Sequence, residues 1–234
     1  MKTILITGAS RGLGYSLSEK YLDSGFCVFS CMRNARTAAY GGLVKKYGES
    51  LHILEMDVAD TGSVKEAAGK IKETTDHLDI IINNAATFSD DSGKFIDGTD
   101  VDKCLEVYNV NALGALRVVK EHLSLLKAGG IRVVANISSD AGSIGGCTRK
   151  DGFDYSMSKA ALNMGSVILQ NHLGEYGVKV LAIHPGWVKT DMGGPNAQID
   201  PYEAAGNIYS VIRESAGRLD GPVYLDYKGK PLGF

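Results

Sequence analysis

The chain has 234 residues, enough for one large α/β domain and too few for two comfortable ones, so a single domain over 1–234 is expected. Apolar residues make up 44% and charged residues 22%, which provides for a sizeable core and argues against a disordered chain. With a net charge of −2 and Lys and Arg spread along the chain, neither nucleic acid nor an anionic membrane is an expected partner.

In chain order, Ile4–Thr7 reads as the first strand and flows straight into a Gly-rich turn, too short a run for a signal peptide. Leu13–Asp23 follows as a helix, with Leu13, Leu17, Tyr21 and Leu22 on one face. Phe26–Cys31, Leu51–Met56, Ile80–Asn83, Ile131–Ile137, Val178–Ile183 and a short Val223–Leu225 complete the predicted strands. Between them lie predicted helices at Val64–Thr75, Val101–Lys127, Tyr155–Tyr176 and Pro201–Ser215, the last with Pro in its first turn. The strands are near-continuous apolar runs, as expected of strands covered by helices on both faces. Alternation of this kind predicts a doubly wound parallel sheet of about seven strands, with its ligand site beyond the C-terminal strand ends. No stretch approaches the roughly 20 apolar residues of a membrane span, and the expected location is the cytoplasm. Cys27 and Cys31 fall in a strand, Cys104 and Cys147 stand apart, and without a CxxC or a His at zinc spacing no metal is expected.

Thr7-Gly8-Ala9-Ser10-Arg11-Gly12-Leu13-Gly14 joins the first strand to the first helix. Its glycines permit a tight turn and let a pyrophosphate approach main-chain N–H groups at a helix N-terminus, which points to a dinucleotide. The same segment matches GxSxG, so a serine hydrolase using Ser10 with downstream Asp and His184 is an alternative. Only seven residues precede Gly8, leaving no room for the earlier strands and oxyanion loop that such an elbow needs. The second strand runs out at Ser30-Cys31-Met32-Arg33 without the acid that binds a ribose 2′-hydroxyl. Arg33 and Arg11 suit a 2′-phosphate instead, so NADP(H) is favoured over NAD(H).

Tyr155 and Lys159, at i and i+4, share one helix face. A Lys ammonium there is expected to favour the phenolate and draw the phenol toward acid–base chemistry near neutrality. The fifth strand runs out through Ser138 and Ser139 into Asp140-Ala141-Gly142-Ser143, bringing hydroxyls to the sheet edge where a carbonyl oxygen could be bound. The bland alternative is a Ser/Gly-rich turn.

Together with Asn83-Asn84-Ala85-Ala86, Asn111 and Pro185-Gly186, these motifs resemble the classical short-chain dehydrogenases/reductases over nearly the whole chain. SSDAGSI, SKAALNM, GWVKTDMGG and the ending at Tyr227–Leu232 resemble the sniffer/C-factor-like carbonyl reductase branch. The resemblance implies reduction of an aldehyde or ketone, with Tyr155 as proton donor and Lys159 on the nicotinamide ribose. Ser139, rather than Ser138, would orient the substrate, and Asn111, with Asn109 nearby, would hold a relay water. It further implies cofactor contacts from Gly8, Ser10, Arg11, Gly12, Leu13, Gly14 and Arg33. Asp57 and Val58 would lie at the adenine, Asn83 and Ala85 near its ribose, and Pro185, Gly186, Val188 and Thr190 at the nicotinamide. Ala86 stands where the family has Gly, and the stretch from Cys147 to Gly152 lengthens the segment between Ser139 and Tyr155 on the substrate side. A homodimer or homotetramer through the helices Val101–Lys127 and Tyr155–Tyr176 is implied as well. A dinucleotide-binding sensor without turnover is the non-enzymatic alternative.

Overall fold

β1 (Thr3–Thr7) is buried along its whole length because its side chains feed two cores, one on each face of the sheet. Ile4 and Ile6 pack with Leu17, Val28 and Ile208, whereas Leu5 packs with Phe29, Ile71, Ile81 and Val118. That is the period-two alternation of a strand read from both sides. The computed structural model describes residues 1–35 and 40–234. Besides β1, the strands are β2 (Cys27–Met32), β3 (Leu51–Glu55), β4 (Ile80–Asn83), β5 (Val133–Ile137), β6 (Lys179–His184) and β7 (Tyr224–Asp226). They form one sheet in the order β3-β2-β1-β4-β5-β6-β7, parallel throughout. The order reverses between β1 and β4, which opens a crevice at their C-terminal ends.

Helices α1 (Gly12–Asp23) and α7 (Pro201–Ser215) cover one face. On the other lie α3 (Thr61–Thr74), α5 (Gly114–Ala128) and α6 (Phe153–Leu173), with α4 (Lys103–Tyr108) against α6. A short α2 (Gly41–Tyr47) was not predicted; its Gly-Gly opening carries no helix-start signal.

Two predicted elements need correction. The helix expected over Val101–Lys127 is α4 and α5 joined by a π turn at Asn109–Leu113, which places Asn111 inside the irregular stretch. The strand expected from Ile131 begins at Val133, because Arg132 adopts φ 58°. There Asp79 Oδ1 takes the N–H groups of Gly130 (2.8 Å) and Ile131 (3.0 Å) in place of a ladder partner. Among the described residues no helix is long and apolar enough to cross a membrane.

Candidate active site

The turn after β1 is locked by backbone approach that only glycine allows. A Cβ on Gly8, at φ +64°, would lie 2.7 Å from Ala85 Cα, and one on Gly14 would lie 2.4 Å from the Gly8 carbonyl oxygen. Asn84 Nδ2 donates to the carbonyls of Thr7 (3.0 Å) and Gly8 (3.1 Å), while Thr7 Oγ1 accepts from Asn84 N and Ala85 N (both 3.1 Å). β1 and β4 are thereby tied together at the crevice. α1 starts after Arg11 with no side-chain cap, whereas Asp60 caps α3 and Asp200 caps α7. Ser10 and Arg11 sit on the turn, and Leu13 is buried, so only its main chain faces the crevice.

Arg33 is exposed just past the end of β2. Arg11 is exposed too, and it pairs with Asp191 at 2.9 Å across to the loop after β6. That loop reaches the glycine turn: Thr190 Cγ2 is 2.9 Å from where a Gly12 Cβ would be. Gly186 turns at φ +81°, and Val188 is buried and bridged to Ile199. At the β3 end, Asp57 Oδ1 accepts from Ala59 N (2.9 Å), and the Val58 carbonyl takes a bond from Arg117 (3.1 Å). Asn83 turns its side chain inward. Its side chain is buried and donates to Asn136 Oδ1 at 2.8 Å, so a ligand at the strand end would meet its main chain.

The N-terminal turns of α6 carry Tyr155 and Lys159. Lys159 Nζ, 1% exposed as a residue, donates to the Ile137 carbonyl at 2.7 Å and lies 5.5 Å from the centroid of the Tyr155 ring. Its other two N–H groups have no protein acceptor among the described residues. Ser139 lies beside the Tyr155 phenol, where it favours the anion, and Ser139 Oγ donates to Asp140 Oδ1 at 2.9 Å. Ser138 is excluded from that role, since its hydroxyl is buried and spent on Asn163 Oδ1 at 2.6 Å. Asn111 accepts from Thr87 N (2.8 Å) and donates to the Thr87 carbonyl (2.8 Å) and Ser158 Oγ (2.9 Å). Both Nδ2 hydrogens and one Oδ1 acceptor position are spent within the protein, so the expected water falls to its main chain within the π turn.

The short chain dehydrogenase model matches residues 2–200. The C-signal protein of Myxococcus xanthus is 37% identical over 161 residues, which are 66% of this chain and 92% of that protein. The chain belongs to the short-chain dehydrogenase family. Among solved structures, the carbonyl reductase Sniffer of D. melanogaster superposes with a TM-score of 0.90 at 29% identity, covering 100% of both chains. The NADPH-bound carbonyl reductase from chicken fatty liver superposes with a TM-score of 0.88 at 29% identity, over 100% of this chain and 99% of that one. This short-chain dehydrogenase is therefore an NAD(P)-dependent oxidoreductase of the sniffer/C-factor-like branch.

The residues present fit a nicotinamide dinucleotide. A bare α1 N-terminus beside a glycine cradle that a Cβ would fill suits a diphosphate. The electrostatics correct one expectation. Burial pushes the Tyr155 phenol up, to about 12, and the Ser139 hydrogen bond only partly opposes it. Lys159 does not pull the phenol down here, because burial pushes its own ammonium down to about 7. A raised phenol stays protonated at neutral pH, the state a proton donor needs.

Several members of the site were missed in the sequence. Tyr224, on β7, donates to the Ser139 carbonyl at 2.7 Å, and Asn163 Nδ2 donates to the Gly142 carbonyl at 3.1 Å. Asp154 holds Ser89 N at 2.7 Å and Ser92 Oγ at 2.9 Å, fixing the loop after β4. These partners are 21 to 85 residues apart, beyond any local pattern; the lone hint was polar side chains within apolar helix and strand runs. The Cys147–Arg149 stretch does border a cavity of about 360 Å³, together with Asp140, Tyr224 and Leu232.

Proposed function

We propose that this short-chain dehydrogenase is an NADPH-dependent carbonyl reductase for aldehydes or ketones, with Tyr155 as the proton donor. The observation that carries the reading is the meeting of Ser139, from the end of β5, with Tyr155 and Lys159, from the start of α6. A reduced nicotinamide, when bound, supplies the hydride. The protein's own part is to orient and to move one proton. The Ser139 hydroxyl, turned from Asp140 Oδ1 toward the substrate, and the Tyr155 phenol hold the carbonyl oxygen, and the protonated phenol passes its proton to it as charge develops there. Lys159, anchored on Ile137, uses its remaining N–H groups for the ribose hydroxyls. The Asn111 side chain fixes Thr87 and Ser158 around this group, and a relay water on its main chain completes the catalytic set of Asn111, Ser139, Tyr155 and Lys159.

On the cofactor side, Gly8, Ser10, Arg11, Gly12, Leu13 and Gly14 receive the diphosphate. Asp57, Val58, Asn83 and Ala85 border the adenosine, and Pro185, Gly186, Val188 and Thr190 the nicotinamide. Arg33 supports a preference for NADP(H), as does the NADPH found in the chicken carbonyl reductase. Arg11 serves it only by exchanging its exposed pair with Asp191, which costs little at the surface. Self-association through α4, α5 and α6 is part of the reading, supported by the exposed Leu105, Met164 and Ile168.

The relative named C-signal favours a second reading, a dinucleotide-binding signalling protein without turnover. The hydrolase alternative fares worse. His184 ends β6, three strands from the β1 that leads to Ser10, roughly 14 Å at sheet spacing, and its Nδ1 accepts from Asp140 N at 3.2 Å. Oxidation of NADPH and of NADH, followed by absorbance against a panel of aldehydes, ketones and quinones, tests the proposal. Turnover with NADPH preferred is expected. Tight NADPH binding with no turnover across the panel would establish the signalling reading instead.

A further inference from the structure

The Ser139 hydroxyl does not face an empty field. Its proton is given to Asp140 Oδ1 at 2.9 Å, and Ala141 N donates back to Oγ at 3.1 Å. Asp140 is held in turn from two other elements. Its N–H donates to His184 Nδ1 of β6 at 3.2 Å, and Arg149 Nη2 lies 3.5 Å from its Oδ2. Arg149 comes from the stretch that lengthens the segment between Ser139 and Tyr155, and both it and Asp140 line the 360 Å³ cavity.

We propose that Asp140 and Arg149 are a pair of opposed positioning residues, Asp140 orienting the Ser139 hydroxyl and the two charges together setting the field at the Tyr155 phenol. The inference rests on the carbonyl reductase reading and says what tunes that same site. A carboxylate beside the phenol disfavours its anion, whereas a guanidinium favours it, so the two act in opposite senses. Asp140 is a full charge at neutral pH. Burial works to raise its carboxyl, but the Ser139 bond, a protonated His184 and the Arg149 guanidinium hold it below the usual carboxylate range. His184 adds little at neutral pH, since burial favours its neutral ring over the partial opposition of Asp140 and of Asp226 on β7. Tyr224 of β7 and Lys159 of α6 are further titratable groups beside Tyr155. Both Asp140 and Arg149 are partly exposed, so each contribution is modest and salt-sensitive.

The consequence has a sign. Carbonyl reduction needs the protonated phenol and alcohol oxidation the phenolate, so both activities turn on the same ionisation. The test is the pH dependence of kcat/KM in both directions for the wild type, Asp140→Asn, Arg149→Met and the double variant. Asp140→Asn keeps an oxygen for the Ser139 bond while losing the charge. Its midpoints are expected to move down by ~0.2–0.7 pH unit, and those of Arg149→Met up by a similar amount. The double variant falls between them, and 1 M salt shrinks every displacement. A merely structural role for either residue would lower rates or thermal stability without displacing the midpoints in opposite directions. Wild-type turnover with both variants on the wild-type midpoints, or displaced the same way, would overturn this inference alone. No wild-type turnover with either dinucleotide would overturn both it and the reading beneath it.

Discussion

The crevice has two walls of different construction. The glycine turn on the cofactor side is a main-chain device: Gly8 and Gly14 bring backbone within contact of backbone, and α1 is left without a side-chain cap. The rim on the substrate side is a side-chain device, in which Ser139 is held by Tyr224, Asp140 and Ala141, and Asp140 by His184 and Arg149. A wall made of backbone tolerates almost no change of residue, whereas a wall made of side chains can be retuned one group at a time. The first therefore suits a cofactor of fixed shape, and the second a substrate that differs between relatives.

The largest expected effect is on the backbone wall. Gly14→Ala must push its methyl against the Gly8 carbonyl, so it should cost ~1–3 kcal/mol and weaken dinucleotide binding by at least ~10-fold. Calorimetry with and without NADPH checks both; unchanged affinity would mean that the turn is not the diphosphate site. Next in size comes Lys159, between the walls. Its ammonium is pushed down to about 7 by burial, while an unfolded Lys titrates near 10.5. Between those values the unfolded Lys159 binds more protons, so its contribution to the stability of the cofactor-free protein should rise with pH from about 7 toward 10. Denaturation curves across that range should show a lower slope in Lys159→Met than in the wild type, while the slope from the buried thiols of Cys27 and Cys31 stays in both.

Much of the first wall was legible in the sequence, and little of the second. The glycine turn, the tyrosine–lysine pair and the apolar strands are local patterns, with reasons confined to a few neighbouring residues. Tyr224 meets Ser139 across 85 positions, and nothing near either residue announces it. The π turn at Asn109–Leu113 was hidden for a related reason: the apolar spacing of the region still reads as one helix, while the Thr87 and Ser158 bonds that fix Asn111 lie elsewhere in the chain. Asn83 was right as a strand end but turned inward, because Asn136 on the neighbouring strand offers its amide a buried partner. The phenol went the other way in pKa because sequence shows the nearby Lys but not the burial of both groups.

On the substrate wall the expected effects are smaller. Tyr224→Phe removes one buried hydrogen bond to the Ser139 carbonyl, ~0.5–1.5 kcal/mol. Carbonyl turnover should fall several-fold while NADPH affinity holds; equal loss of both would dissolve the distinction between the walls. A glycine outside either wall sharpens the contrast. A Cβ on Gly69, inside α3, meets nothing within 4 Å, so Gly69→Ala should stabilise the protein by ~0.5–1 kcal/mol and leave binding and turnover alone.

Tyr155→Phe keeps the ring and its place on α6 and removes only the phenolic oxygen. NADPH titration by fluorescence, paired with steady-state reduction of the best carbonyl substrate, should show unchanged cofactor affinity and turnover lowered by ~10²–10⁴-fold. Turnover close to that of the wild type, or a matching collapse of NADPH binding, would contradict the assignment of Tyr155 as the group that delivers the proton.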